Sequence, residues 1–103
     1  MDIVLCNCSP GEAATIAETL VRERLAACVN IIPGLISVYR WEGAVQRDAE
    51  VLLLIKTTPA VYSRLEQRIR ALHPYDLPEI ISVPIQTGLA DYLQWITHSL
   101  EPS

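Results

Sequence analysis

No apolar run in this 103-residue chain approaches the roughly 18 residues of a membrane-spanning helix, and Met1-Asp2-Ile3-Val4 lacks the basic and long apolar segments of a secretory signal. A cytoplasmic protein is expected. Basic residues are also few: 8 Lys and Arg face 12 Asp and Glu, for a net charge of -4. With no basic patch or stripe, nucleic acid and anionic membrane surfaces are not expected partners. The 3 cysteines are an odd number without a secretory context, which fits free thiols in a reducing compartment better than a disulfide framework. Gly-rich phosphate loops, GxSxG and HExxH are missing, and His73 and His98, the 2 histidines, suggest no triad. The expectation is a non-enzymatic protein. At 50% hydrophobic, the chain suits one compact domain over residues 1-103, with a modest core that needs no metal or disulfide staple.

What the chain has is apolar strand pattern. Residues 28-43 run apolar, aromatic and turn residues together without a break and read as one strand of about sixteen residues, far beyond the usual ~5 to 6. Pro33-Gly34 mark a bulge in it, because proline has no N–H for the ladder and glycine tolerates unusual backbone angles. Before it, Asp2 to Cys6 reads as a short buried strand. Glu12 to Ala27 reads as a helix with Ala13, Ile16, Ala17, Leu20 and Ala27 on one face, and Arg24 near its C-terminus where the macrodipole favours a cation. Residues 42-48 read as a turn around Gly43, and Glu50 to Lys56 as a strand apolar on both faces. Thr58-Pro59 starts a second helix carrying Val61, Tyr62, Leu65, Ile69 and Leu72, which His73-Pro74 stops. Glu79 to Ile85 reads as an edge strand containing Pro84. A short C-terminal helix follows Gly88, with Leu89, Tyr92, Leu93 and Ile96 on one side.

The order strand, helix, strand, strand, helix, strand is that of an α+β ferredoxin-like βαββαβ fold, an antiparallel sheet with both main helices on one face. The other face would then be apolar and uncovered. Ile31, Ile36, Val38, Ile80 and Ile81 add to it, and self-association into a closed ring of two or three copies is the economical cover.

Several residues invite chemistry, each with a plainer alternative. Cys6 and Cys8 fall on one strand face and suit Cu(I) or zinc as thiolates, yet free cysteines also serve as small buried hydrophobes, the reading given to Cys28. His73 opens the rigid run His73-Pro-Tyr-Asp-Leu-Pro-Glu79 and serves either as a ligand or as a helix C-cap. Tyr39 and Trp41 alternate onto one strand face, roughly across from Asp48 and Glu50, and either line a cleft or pack across strands. Lys56 is an anion-binding group or a strand-end cation.

Taken in order, Cys28-Val-Asn-Ile-Ile-Pro-Gly34, Ser37-Val-Tyr-Arg-Trp-Glu-Gly43, Glu50, Ile55-Lys-Thr57, His73-Pro-Tyr75, Pro78-Glu-Ile80 and Tyr92-Leu-Gln-Trp95 closely resemble the CutA divalent-cation-tolerance family across nearly the whole chain. The resemblance implies a homotrimer similar in architecture to PII signalling proteins and a role in tolerance of divalent metals, copper especially. It implies copper ligation by a strand-one cysteine, matching Cys6, and by two successive histidines before Pro-Tyr, of which only the second is matched, by His73. Leu72 stands at the first, and an aliphatic side chain cannot coordinate. The chain therefore binds copper more weakly, recruits Cys8 or another group, or leaves that site unused. The resemblance further implies a cleft between subunits lined around Tyr39, Trp41, Glu50, Lys56, His73 and Glu79, for a metal or a small anionic ligand. Reversible metal binding is the leading expectation, and a PII-like signalling module the alternative.

Overall fold

The computed structural model describes residues 1-102. Its elements run β1 (Asp2–Cys8), α1 (Pro10–Arg22), β2 (Cys28–Trp41), β3 (Ala44–Thr57), α2 (Pro59–Leu72), β4 (Ile81–Pro84) and α3 (Ala90–Leu100). The sheet order is β2-β3-β1-β4 and every neighbouring pair is antiparallel, which is the ferredoxin-like α+β arrangement. Alternation along the two central strands builds the core. Val51, Leu53 and Ile55 of β3, beside Val4, Cys6 and Cys8 of β1, meet Ile16 and Leu20 of α1, Leu65 and Ile69 of α2 and Ile96 of α3. Thr57 is also sealed in, and its hydroxyl donates to the Leu25 carbonyl at 2.9 Å, so the buried polar group is satisfied.

The long strand pairs as its sequence suggests, with a break in register between Ile32, opposite Leu52, and Leu35, opposite Glu50. Pro33-Gly34 form the bulge, and Gly34 sits at φ +82°, where a side chain would be strained. β2 ends at Trp41, two residues earlier than residues 28-43 imply. Glu42 and Gly43, at φ 50° and 81°, make a two-residue turn of the primed kind that matches strand twist. That turn corrects the next element as well. β3 begins at Ala44, not Glu50, because a two-residue turn lets residues 44-49 zip against residues 35-41. Their polar pattern hid them, since the hairpin tip projects beyond the helices in a molecule 45 Å long and offers little core to face.

Three other boundaries differ. β1 runs to Cys8, because the lengthened β3 supplies partners for Asn7 and Cys8. α1 begins at Pro10, with the Ser9 hydroxyl donating to the Glu12 carboxylate, and stops at Arg22 rather than Ala27. Arg24 adopts φ 59°, while Leu25 N–H reaches Leu20 O at 2.9 Å and Arg24 N–H reaches Val21 O at 3.1 Å. This is a Schellman end. Arg24 is thus outside the helix and donates to Ser99 O of α3 at 3.2 Å, and Ala27 has already joined the extended chain through Lys56 O at 2.8 Å. β4 is the expected edge strand, shortened to four residues ending at Pro84. On α3, Ile96 and Leu100 face the core while Leu89 and Tyr92 are exposed, Tyr92 stacking on Trp95.

Candidate functional site

The site begins where β4 stops. β4 pairs only with Asp2 to Leu5, so the Cys6 to Cys8 end of β1 has no β4 partner, and the loop after α2 runs past it. His73 ends α2 with its own N–H on Ile69 O at 2.8 Å, and Pro74 holds it extended. Its buried ring sits with Nε2 at 2.7 Å from Asn7 O, while Nδ1 accepts the Tyr75 N–H at 3.2 Å. Because Nδ1 accepts, the proton lies on Nε2, which donates to the Asn7 carbonyl. His73 therefore stands in for the missing strand partner at the free end of β1.

The same loop brings Tyr75 edge-on to His73, with ring centroids 4.5 Å apart, and carries its hydroxyl to Glu50 Oε2 at 2.7 Å. Glu50 is only 7% exposed. Burial, and then the bond to Glu50, raise the Tyr75 phenol well above its usual range. Beside it the Tyr39 hydroxyl donates to Asp48, and that bond raises the Tyr39 phenol too. Asn7 Nδ2 donates to Ser37 Oγ at 3.4 Å. Together Asn7, Ser37, Tyr39, Glu50, Tyr75 and Glu79 line a cleft of about 340 Å³. A second hollow, of about 480 Å³, shares Tyr39, Tyr75 and Leu77 with it and adds Trp41, Asp48 and Asp76.

Four of the residues singled out in the sequence thus come together: Tyr39, Glu50 and Glu79 on the cleft, and Trp41 on the adjoining hollow. Their register differs from expectation. Tyr39 lies opposite Gln46 and Trp41 opposite Ala44, while Asp48 faces Ser37 and Glu50 faces Leu35, because the turn is two residues long. Lys56 is elsewhere, six positions along β3 from Glu50 and bonded through Nζ to the Asn30 side chain. His73 lies behind Tyr75 and does not line either hollow. Asn7 and Ser37 were not anticipated, and the one signal for them is that each is a small polar group between two apolar neighbours, Cys6 and Cys8 or Ile36 and Val38.

Cys6 is fully buried on the helix-facing side of β1, with Sγ 3.7 Å from Asn7 O. Cys6 and His73 are thus brought to the same carbonyl oxygen, but each is occupied by it. Burial pushes the Cys6 thiol from 9.0 up to about 12, and the Cys8 thiol from 9.0 up to about 11. Among the described residues, no three His, Cys, Asp or Glu side chains converge as a metal centre. A group whose pKa is raised on folding stabilises the fold below its unfolded pKa and loses that contribution as pH rises through the folded one. The denaturant midpoint should therefore decline between pH 9 and about 12 as the thiols are forced to ionise. Denaturant titrations at stepped pH should give a smaller decline in Cys6→Ala/Cys8→Ala than in the parent, and equal declines would show that the thiols do not contribute.

Residues 2-99 match the family described as the CutA1 divalent ion tolerance protein. Over 96 residues the chain is 53% identical to the divalent-cation tolerance protein CutA of Thermus thermophilus, covering 92% of this chain and 93% of that protein. It is 49% identical over 88 residues to the chloroplastic protein CutA 1 of rice, covering 85% of this chain but only 50% of the relative. The fold is similar to that of the PII-like protein CutA from Nostoc, solved in its apo form, with a TM-score of 0.93, 38% identity and 98% of each chain covered. None of the helices among the described residues is long and apolar enough to cross a membrane.

Proposed function

The chain belongs to the CutA1 divalent ion tolerance protein family, and from that premise we propose that it acts as a non-enzymatic, homotrimeric, PII-like binding module whose cleft around Glu50 holds a small ligand. The observation that carries this reading is the Glu50 carboxylate, 7% exposed on the wall of an open cleft and held by the Tyr75 hydroxyl. Withdrawing a carboxylate from water is a poor source of stability. Such a group is more naturally explained by recognition than by folding. Assembly as a trimer is supported by the wet apolar side chains of β2 and β3, among them Ile32, Ile36, Val38 and Val45, and by the outer edges of β2 and β4, unpaired in the single chain. Three unpaired thiols suit the cytoplasm.

Equilibrium dialysis against a small-molecule extract, followed by mass spectrometry, tests the cleft. The parent protein should retain a compound that Tyr75→Phe retains at least several-fold less. Equal retention, or none, would remove the cleft as the working site.

A second reading, direct copper binding, is favoured by the meeting of Cys6 and His73 at one carbonyl oxygen. Thiolate and imidazole suit Cu(I), and these two side chains would hold it. Both must first release Asn7 O, and the Cys6 thiol must lose a proton that burial holds in place. Leu72 cannot assist. Native mass spectrometry with Cu(I) should find three coppers on a trimer and none on Cys6→Ser. A bare trimer at excess metal would end this reading and leave the cleft untouched.

A further inference from the structure

We infer that α3 is a strap that opens separately from the rest of the fold and uncovers the Cys28 thiol, and that Arg24 is its latch. The inference does not depend on what the cleft holds. It starts from the left-handed conformation of Arg24, at φ 59°, in a helix-ending turn where glycine is the usual occupant. Strain of this kind persists only where the surroundings over-determine it, and it points to a role for the residue that bears it.

The surroundings do hold this turn. Glu23 is gripped by Arg68 of α2 through two bonds of 2.9 Å, Leu25 N–H reaches Leu20 O of α1 at 2.9 Å, and Ala27 N–H reaches Lys56 O of β3 at 2.8 Å. Its neighbours thus fix the turn to α1, α2 and β3, and the Arg24 side chain is left to reach α3, where Nη1 donates to Ser99 O at 3.2 Å. The last four carbonyls of a helix have no donor within it. Glu101 N–H takes His98 O at 3.2 Å, and the guanidinium takes Ser99 O, with its positive charge at the negative end of the helix. Glycine at this position would relieve the backbone and lose that contact.

α3 has few other ties. Its buried residues are Ile96 and Leu100, against Ala13, Ile16, Ala17 and Leu20 of α1. Its N-cap, Leu89, offers no side-chain oxygen to the first N–H groups. Because α3 follows β4 in the chain, β4 stays paired with β1 when α3 leaves, and release breaks no strand ladder. A segment with few buried contacts opens at lower cost than the whole fold. Tyr92 of α3 lies beside Cys28 at the start of β2, and partial burial, then that thiol, raise the Tyr92 phenol above its usual range. Cys28 is half-buried, whereas Cys6 and Cys8 belong to the core. Departure of α3 therefore uncovers Cys28 and leaves the other two thiols sealed.

Pulsed alkylation of the reduced protein with iodoacetamide, read peptide by peptide by mass spectrometry, tests the strap, and amide exchange over Ala90–Leu100 tests the latch. Cys28 should be modified at least about tenfold faster than Cys6 and Cys8, as separate opening of one segment requires. In Arg24→Gly, both Cys28 alkylation and Ala90–Leu100 exchange should accelerate about two- to fivefold, the factor that a cation at a helix C-terminus contributes. Exchange in α1 and β3 should stay at the parent rate. The variant keeps the fold, since glycine accepts φ 59° more readily than arginine does. Cys28 modified no faster than Cys6, or an Arg24→Gly variant that leaves either rate unchanged, overturns the inference. So does uniform acceleration across α1, α2 and α3, which would make Arg24 a general support of the fold and not a latch.

Discussion

Aspartate placed at both Ile36 and Val38 is expected to turn the proposed trimer into free chains of 11.5 kDa. Both residues lie on the part of β2 beyond the Pro33-Gly34 bulge, and they are 47% and 61% exposed in the single chain. Their neighbours across the ladder are Ala49 and Arg47, and Val45 nearby is 66% exposed. No helix covers this segment. Fully burying a side chain of this size is worth about 1.5 to 3 kcal/mol, and burying an unpaired carboxylate costs several more. Two such changes, repeated at every copy of a closed ring, outweigh what an interface of ordinary size retains. Sedimentation velocity should show one slow species, with the far-ultraviolet spectrum of the fold preserved because neither residue belongs to the core cluster. A species of three times the chain mass would mean that the hairpin is not the contact.

Leu53→Ala should produce the largest loss of fold stability from a single truncation, about 3 to 5 kcal/mol. Leu53 is fully buried in β3, between Cys6 of β1 and Ile31 of β2, on the face that the helices cover. Backbone pairing on both sides prevents the strand from collapsing into the space left behind. The loss compares with about 5 to 15 kcal/mol for a whole domain, so the folded baseline should be visibly shortened in guanidinium unfolding. A change below about 1 kcal/mol would show that the sheet repacks around the hole.

The bulge, the two amphipathic helices and the element order were legible because each depends on local chemistry. Proline lacks a donor, glycine tolerates φ +82°, and Val61, Leu65 and Ile69 recur at helical spacing. The end of α1 was not legible. Arg24 takes a left-handed conformation that glycine usually takes, held there by Leu20, Val21 and Ser99 carbonyls that only the folded chain assembles. Residues 44-49 were missed for a related reason, since a strand beyond the core shows no apolar period.

The sequence by itself determined the α+β order, the central apolar strand and the residue types of the site: an imidazole, phenols and carboxylates on one rigid loop and one long hairpin. Only the tertiary structure decided what they do together. It set His73 against Asn7, turned Cys6 into the core, sent Lys56 to Asn30 and gathered Glu50, Tyr75, Tyr39 and Glu79 around one cleft. The physical reason is that side-chain roles at this site follow from register and strand length. Pairing of β4 with β1 stops at Ile81 opposite Leu5, and the β2-β3 turn takes two residues rather than more. A slip of one position between β2 and β3 would turn Ser37, Tyr39 and Trp41 to the other face of the sheet, away from Glu50.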